Sequence, residues 1–180
     1  MVFLDMAVSL DGFVSGPNGE DGGLHDWYFA PAGDSVLILD ELLREVGAMV
    51  LGRRAFGSSP EAEGFDTPYK VPHFVLTHGA REPIENGGAT FYFVSDGLEA
   101  VVEQAKAAAG GRDVCVAGGA QTARQLLQAR LVDEIQLHLV AKLFGGGLRL
   151  FEGTKADLER LRVLEGEGVT HLRYRVLKEG

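Results

Sequence analysis

The sequence predicts a single α/β domain: a central mixed, mostly parallel sheet flanked by helices, with a C-terminal antiparallel hairpin. Three observations predict it. Short apolar runs alternate with amphipathic helical patterns along the 180 residues. Glycines stand where apolar runs end and helices or loops begin. The last two runs are joined by the turn Gly166-Glu167-Gly168. The length fits one domain spanning residues 1–180.

The elements follow in order. Val2 to Val8 reads as a buried strand. Ser35 to Val46 reads as a helix with Val36, Leu39, Leu42, Leu43 and Val46 on one face, capped by Asp34 or Ser35. Strands are expected at Ala48 to Leu51, Phe74 to Thr77 and Thr90 to Val94. Asp96 and Glu99 have the spacing of a capping box for a helix over Gly97 to Ala109, with Leu98, Val101, Val102, Ala105 and Ala109 inward. Val114 to Ala117 is a further strand, followed by Gly118-Gly119 and a helix to about Arg130. A longer strand runs from Ile135 to Phe144, and the closing hairpin pairs Leu161 to Leu164 with Val169 to Leu177. Gly16 to Gly23 and Gly57 to Pro72 are the most loop-like stretches.

Composition narrows the function. The formal net charge is −9, from 26 acidic and 17 basic residues, which disfavours general binding to nucleic acid. An anionic ligand would need a local cluster of donors. The single cysteine, Cys115, lies in an apolar run and reads as a buried thiol. Met1 to Asp5 meets a charge at once, unlike a secretory leader, and no apolar stretch is long enough to span a bilayer. A cytoplasmic location is expected.

Several residues could carry chemistry. Gly118 and Gly119 follow a strand and open a helix, so backbone N–H groups there can approach a phosphate, or the pair only permits a tight turn. Gly52-Arg53-Arg54 ends another strand with two guanidiniums, which read either as forks matching phosphate oxygens or as a solvated pair on a loop. Ser9-Leu10-Asp11-Gly12 follows the first strand and reads either as turn chemistry or as a carboxylate at the mouth of a site. His25-Asp26-Trp27-Tyr28-Phe29 is either an aromatic wall for a ring or a loop packed on the core. The five histidines lack metal-ligand spacing, and no nucleophile motif is present.

The order of these pieces resembles the dihydrofolate-reductase-like superfamily, in the branch of the RibD C-terminal domain reductases. The resemblance rests on Ala7-Val8-Ser9-Leu10-Asp11-Gly12, Met49 to Arg54, Phe74 to His78, Val116 to Ala120 and, most diagnostic, the stretch through Leu131 to Leu137 and Phe144 to Phe151. It implies an NADPH-dependent reductase, commonly homodimeric, acting on a small, ring-containing substrate with a CH–NH or C=N type group. A non-catalytic NADP(H)-binding or redox-sensing module on the same fold is the alternative. By the resemblance, Gly52, Arg53 and Arg54 meet the cofactor phosphates, and Thr77 and His78 lie near the adenosine 2′-phosphate. Gly118, Gly119, Ala120, Gln121 and Thr122 wrap the pyrophosphate and nicotinamide side, which Ala7 and Val14 flank. Asp11 faces the substrate as the catalytic candidate, with Trp27, Asp26 and Asp34 as substrate contacts.

The chain departs from the family pattern at three places. Ala55 stands where a threonine is common, and Ala141 where a proline is common. The aspartate-proline segment of the riboflavin-pathway reductases is not found in Phe56 to Glu63. Against true dihydrofolate reductases, Ala32 occupies the offset from Trp27 where they place an acid, so dihydrofolate is expected to be a poor substrate.

Overall fold

The computed structural model describes residues 1–57 and 62–178. In chain order its elements are β1 (Val2–Ser9), β2 (Phe13–Ser15), α1 (Asp26–Phe29), α2 (Ser35–Glu45), β3 (Val46–Gly52), α3 (Arg53–Phe56), β4 (His73–Leu76), β5 (Ile84–Asn86), β6 (Ala89–Val94) and α4 (Leu98–Ala108). They continue with β7 (Asp113–Gly118), α5 (Ala120–Gln128), β8 (Glu134–Val140), β9 (Leu148–Arg149), β10 (Asp157–Gly166) and β11 (Val169–Leu177).

The strands of the main sheet lie in the order β10-β11-β8-β1-β7-β3-β4-β6-β5. From β8 to β6 they run parallel, while β11, β10 and β5 run antiparallel to their neighbours. The predicted mixed, mostly parallel sheet with its closing hairpin is the one observed. A second, two-stranded sheet pairs β2 with β9.

The parallel strands are apolar on both faces because helices cover both. Alternation along β1 splits the core. Val2 and Leu4 point to a cluster with Val50, Val116, Val101 of α4 and Leu126 of α5. Phe3 and Ala7 point the other way, to Met49, Cys115, Trp27 and Ile38 and Leu42 of α2. Cys115 is buried on this α2 face, and burial pushes its thiol up well above the ordinary value.

Three details differ from the sequence reading. Helix α2 buries Ser35, Ile38 and Leu42, whereas Val36 and Leu43 are exposed. The run Val36 to Leu43 is apolar on several sides, so periodicity alone did not fix the inward face. The capping box at Asp96 and Glu99 is absent: α4 is N-capped by Gly97 with no side-chain cap bond. The expected strand to Phe144 stops at Val140, because Lys142 turns its carbonyl to the amide of Leu10. Ser58 to Glu61, part of the segment compared with the riboflavin-pathway reductases, lies outside the described residues.

Candidate dinucleotide cleft and a buried polar row

A cleft of about 710 Å³ opens at the carboxyl ends of β3 and β4 and the start of α5. It is within the size range of small-molecule sites, and strand ends are where α/β sheets place them. It brings together Gly52, Arg53, Arg54, Thr77, His78, Gly119, Ala120, Gln121 and Thr122, all of them singled out in the sequence. Ser95, Gly97, Leu98, Arg124, Gln125 and Leu148 also line it and were not foreseen. Gln125 and Arg124 follow Gln121 and Ala120 by four residues on α5, the spacing that would have found them.

Local structure makes this cleft suitable for an anion. The first N–H groups of α5 have no acceptor within the helix and point out of its positive end. Gly52 is required by close approach: a Cβ there would collide with Thr122 Oγ1 on the first turn of α5. Gly118, at φ +147, has a conformation that side-chain-bearing residues rarely adopt. Arg53 donates to the carbonyl of Gly57 and lies over the Phe56 ring, which fixes its stem. Arg54 is exposed, and Arg124 is held at 3.1 Å from Glu152. Three guanidiniums therefore border one cleft in a chain of net charge −9.

Gly118 is buried at the end of β7 and is not among the residues lining the cleft, which on this side begin with Gly119. Ala7 is buried on the α2 face, and Val14 is half-buried against the main core. Neither borders the cleft as these side chains stand.

Asp11 is occupied by structure. Ser9 Oγ donates to its Oδ1 at 2.7 Å, the amide of Gly145 to Oδ2 at 2.7 Å, and the amide of Phe144 to both oxygens at 3.1 Å. The Ser9 hydroxyl first, then the two amides, hold its carboxyl down at about 2. Asp11 thus ties the loop after β1 to the turn after β8, and as a permanent anion it is a poor proton source near neutrality. Asp26 is exposed, 3.8 Å from Lys142. Asp34 accepts the amide of Glu165 at 3.4 Å and sits where α2 begins. These three carboxylates are not brought together.

Trp27 is not an open wall. It is buried, with its ring 4.3 Å from that of His138 and 4.9 Å from that of His171. Under it lies a polar row the sequence reading missed. Strand register sets Asp5 beside Gln136 and Gln136 beside Arg173; two residues further on it sets Ala7 beside His138 and His138 beside His171. His138 Nε2 and Gln136 Nε2 each lie 2.9 Å from Asp5 Oδ1. Arg173 donates to Gln136 Oε1 at 2.9 Å, which turns that amide nitrogen toward Asp5. His138 Nδ1 meets His171 Nδ1 at 2.8 Å, and His171 Nε2 meets Ser35 Oγ at 2.8 Å. Burial opposes the charge on Asp5, but His138, Gln136 and Arg173 together hold its carboxyl below the usual value. Burial, then His138, push His171 down to about 4.

The fold recurs in solved structures. It matches a Shewanella sp. PV-4 protein proposed to act in riboflavin biosynthesis with a TM-score of 0.70, at 23% identity over 98% of this chain and 99% of that one. It matches dihydrofolate reductase from Enterococcus faecalis, complexed with NADP(H) and RAB-propyl, with a TM-score of 0.59, at 15% identity over 99% and 97% of the two chains. In sequence, the chain is 29% identical over 165 residues to the uncharacterized protein YyaP of Bacillus subtilis (strain 168), covering 86% of this chain and 81% of that protein. The RibD C-terminal domain profile matches residues 1–172, so the chain belongs to the RibD C-terminal domain family, on a dihydrofolate-reductase-like fold.

Proposed function

We propose that the protein is an NADPH-dependent reductase of a small, planar substrate. The observation that carries this reading is the cleft itself: the start of α5, Gly52 and three arginines converge on one anion-binding space in an acidic chain. The residues present fit a phosphorylated dinucleotide. Arg53 and Arg54 would hold phosphates, with Thr77 and His78 beside the 2′-phosphate and Gly119 to Thr122 offering backbone donors to the pyrophosphate. The bound nicotinamide would supply a hydride; the chain's own part is to bind, orient and exclude water. Likeness to a reductase solved with NADP(H) supports the cofactor.

Calorimetric titration tests the reading. Wild-type protein should bind NADPH more tightly than NADH, and Arg53→Ala should weaken NADPH much more than NADH. Failure of the wild type to bind either dinucleotide would sink the proposal. A second reading, a non-catalytic NADP(H)-binding module, draws on one observation: among the described residues, no carboxylate lines the cleft. NADPH consumption with ring-containing substrates separates the two. A homodimer belongs to the same proposal, since Leu158, Leu161 and Val163 leave β10 with exposed apolar side chains at the sheet edge. Light scattering should give twice the chain mass.

A further inference from the structure

Asp5 is the feature that neither the cleft nor the core explains. Both of its neighbouring donors, His138 Nε2 and Gln136 Nε2, fall on Oδ1. No described residue donates to Oδ2, and the Asp5 side chain keeps 17% of its surface exposed. A carboxylate sunk for purely structural reasons would have both oxygens satisfied. Here one oxygen is fixed and the other is left open. The fixing is elaborate: Arg173 orients Gln136, while Ser35 and His171 stand behind His138.

A second observation points the same way. Trp27 Nε1 is a buried donor with no partner among the described residues, on a ring tilted against His138 and edge-on to His171. An orphaned donor and a half-used acceptor in one neighbourhood fit a ligand better than a finished core. The Tyr28 and Tyr69 hydroxyls lie close by. Burial raises both, and the Asp5 charge raises them further. Leu4, next to Asp5 on β1, pairs with Val116, two residues before Gly118 at the end of β7.

We propose that Asp5 Oδ2 is the anchor of a ligand site on the α2 face, taking a small planar molecule that presents an N–H edge, most strongly an amidinium-type cation. An ionised carboxylate oxygen only accepts hydrogen bonds, so the ligand must donate. Two parallel N–H groups on a planar cation match a carboxylate better than a single amine does. His138 and Gln136 are positioning residues: they hold Oδ1 so that Oδ2 faces the ligand. This deepens the proposed reductase function by naming its substrate class, and it rests on that reading for the word substrate alone.

The test uses the sole tryptophan as reporter, because Trp27 packs against the histidines that hold Asp5. Benzamidine should quench its fluorescence saturably at concentrations up to about 10 mM, and isosteric benzoate should not. Asp5→Asn keeps an oxygen facing His138 and turns an NH₂ outward. It should weaken benzamidine by about tenfold or more and admit benzoate instead. Asp40→Asn, on the exposed side of α2, should change neither. Absence of benzamidine binding, or equal binding by Asp5→Asn, overturns the proposal. If Asp5→Asn does not fold, the wild-type histidine ring resonances decide. Shifts at His138 and His171 on adding benzamidine support the site; shifts only at the exposed His25 and His78 overturn it. NADPH titration of the same samples keeps the two proposals apart, since dinucleotide binding without benzamidine binding refutes this one alone.

Discussion

The cleft and the buried row handle polarity in opposite ways. In the cleft, polar groups come from contiguous stretches of chain: the end of β3 running into α3, and the end of β7 running into α5. Its arginines remain near solvent and its backbone donors are ready for a ligand. In the row, Asp5, Ser35, Gln136, His138, His171 and Arg173 come from β1, α2, β8 and β11 and hold one another in place inside the core, with Asp5 Oδ2 left open. The difference separates binding from stability. Changes in the cleft should alter affinity with little effect on folding. Changes in the row should destabilise the fold first.

The sharpest way to break that contrast is His138→Leu. It removes a donor from Asp5 and a partner from His171, leaving a buried carboxylate undersatisfied. The expected loss is about 3–5 kcal/mol of unfolding free energy, read from the denaturant midpoint. A loss below about 1 kcal/mol would show that the row is only weakly coupled to the fold.

Acid should act on the row next. His171 has a folded value of about 4 against an ordinary 6.5, so the unfolded chain takes up the proton first. Stability therefore rises with pH between about 4 and 6.5, and is lost as pH falls through that window. The full effect is about 3 kcal/mol. Melting temperature against pH should show this slope in the wild type and lose it in His171→Gln. Asp11 adds an effect of the same sign at lower pH: its stabilisation is present above its ordinary 3.8 and is lost as pH falls toward about 2.

In the cleft, Arg124→Ala should weaken NADPH by about 1.5–3 kcal/mol while the denaturant midpoint moves by less than about 1 kcal/mol. An equal loss in stability would erase the distinction between the two regions. The smallest expected effect is at Asp26. Its exposed carboxylate is 3.8 Å from Lys142, and Asp26→Ala should change stability by no more than about 0.5 kcal/mol.

The same contrast explains what could be read from the sequence. The strand ends at Gly52 and Gly118 were legible because a glycine, a following helix and attached arginines are neighbours in sequence. The row was not, because register assembles it: Asp5 and His138 are separated by 133 residues. Each histidine alone looks like an ordinary residue in an apolar strand. Asp11 misled for a related reason. Its Asp-Gly turn was visible, but the amides of Phe144 and Gly145 that occupy its carboxylate come from the turn after β8, beside it in the sheet but 133 residues away in the chain for Phe144. The inward face of α2 was legible in part: Leu39 and Leu42 pack inward as expected, but apolar residues surround much of the helix, and only packing chose Ile38 over Val36 and Leu43.

Cys115 turns the α2 face into a clock. The thiol is 1% exposed in the middle of β7, flanked by β1 and β3, and burial keeps it protonated. A thiol reagent can reach it only when the central strands separate or α2 lifts away. Under native conditions, the rate of modification then counts openings of the sheet's centre rather than exposure of a surface group. A ligand that binds only the closed state should slow that rate in proportion to its occupancy. The lone cysteine thus provides a way to time how often the middle of the molecule comes apart, and to learn which ligands hold it shut.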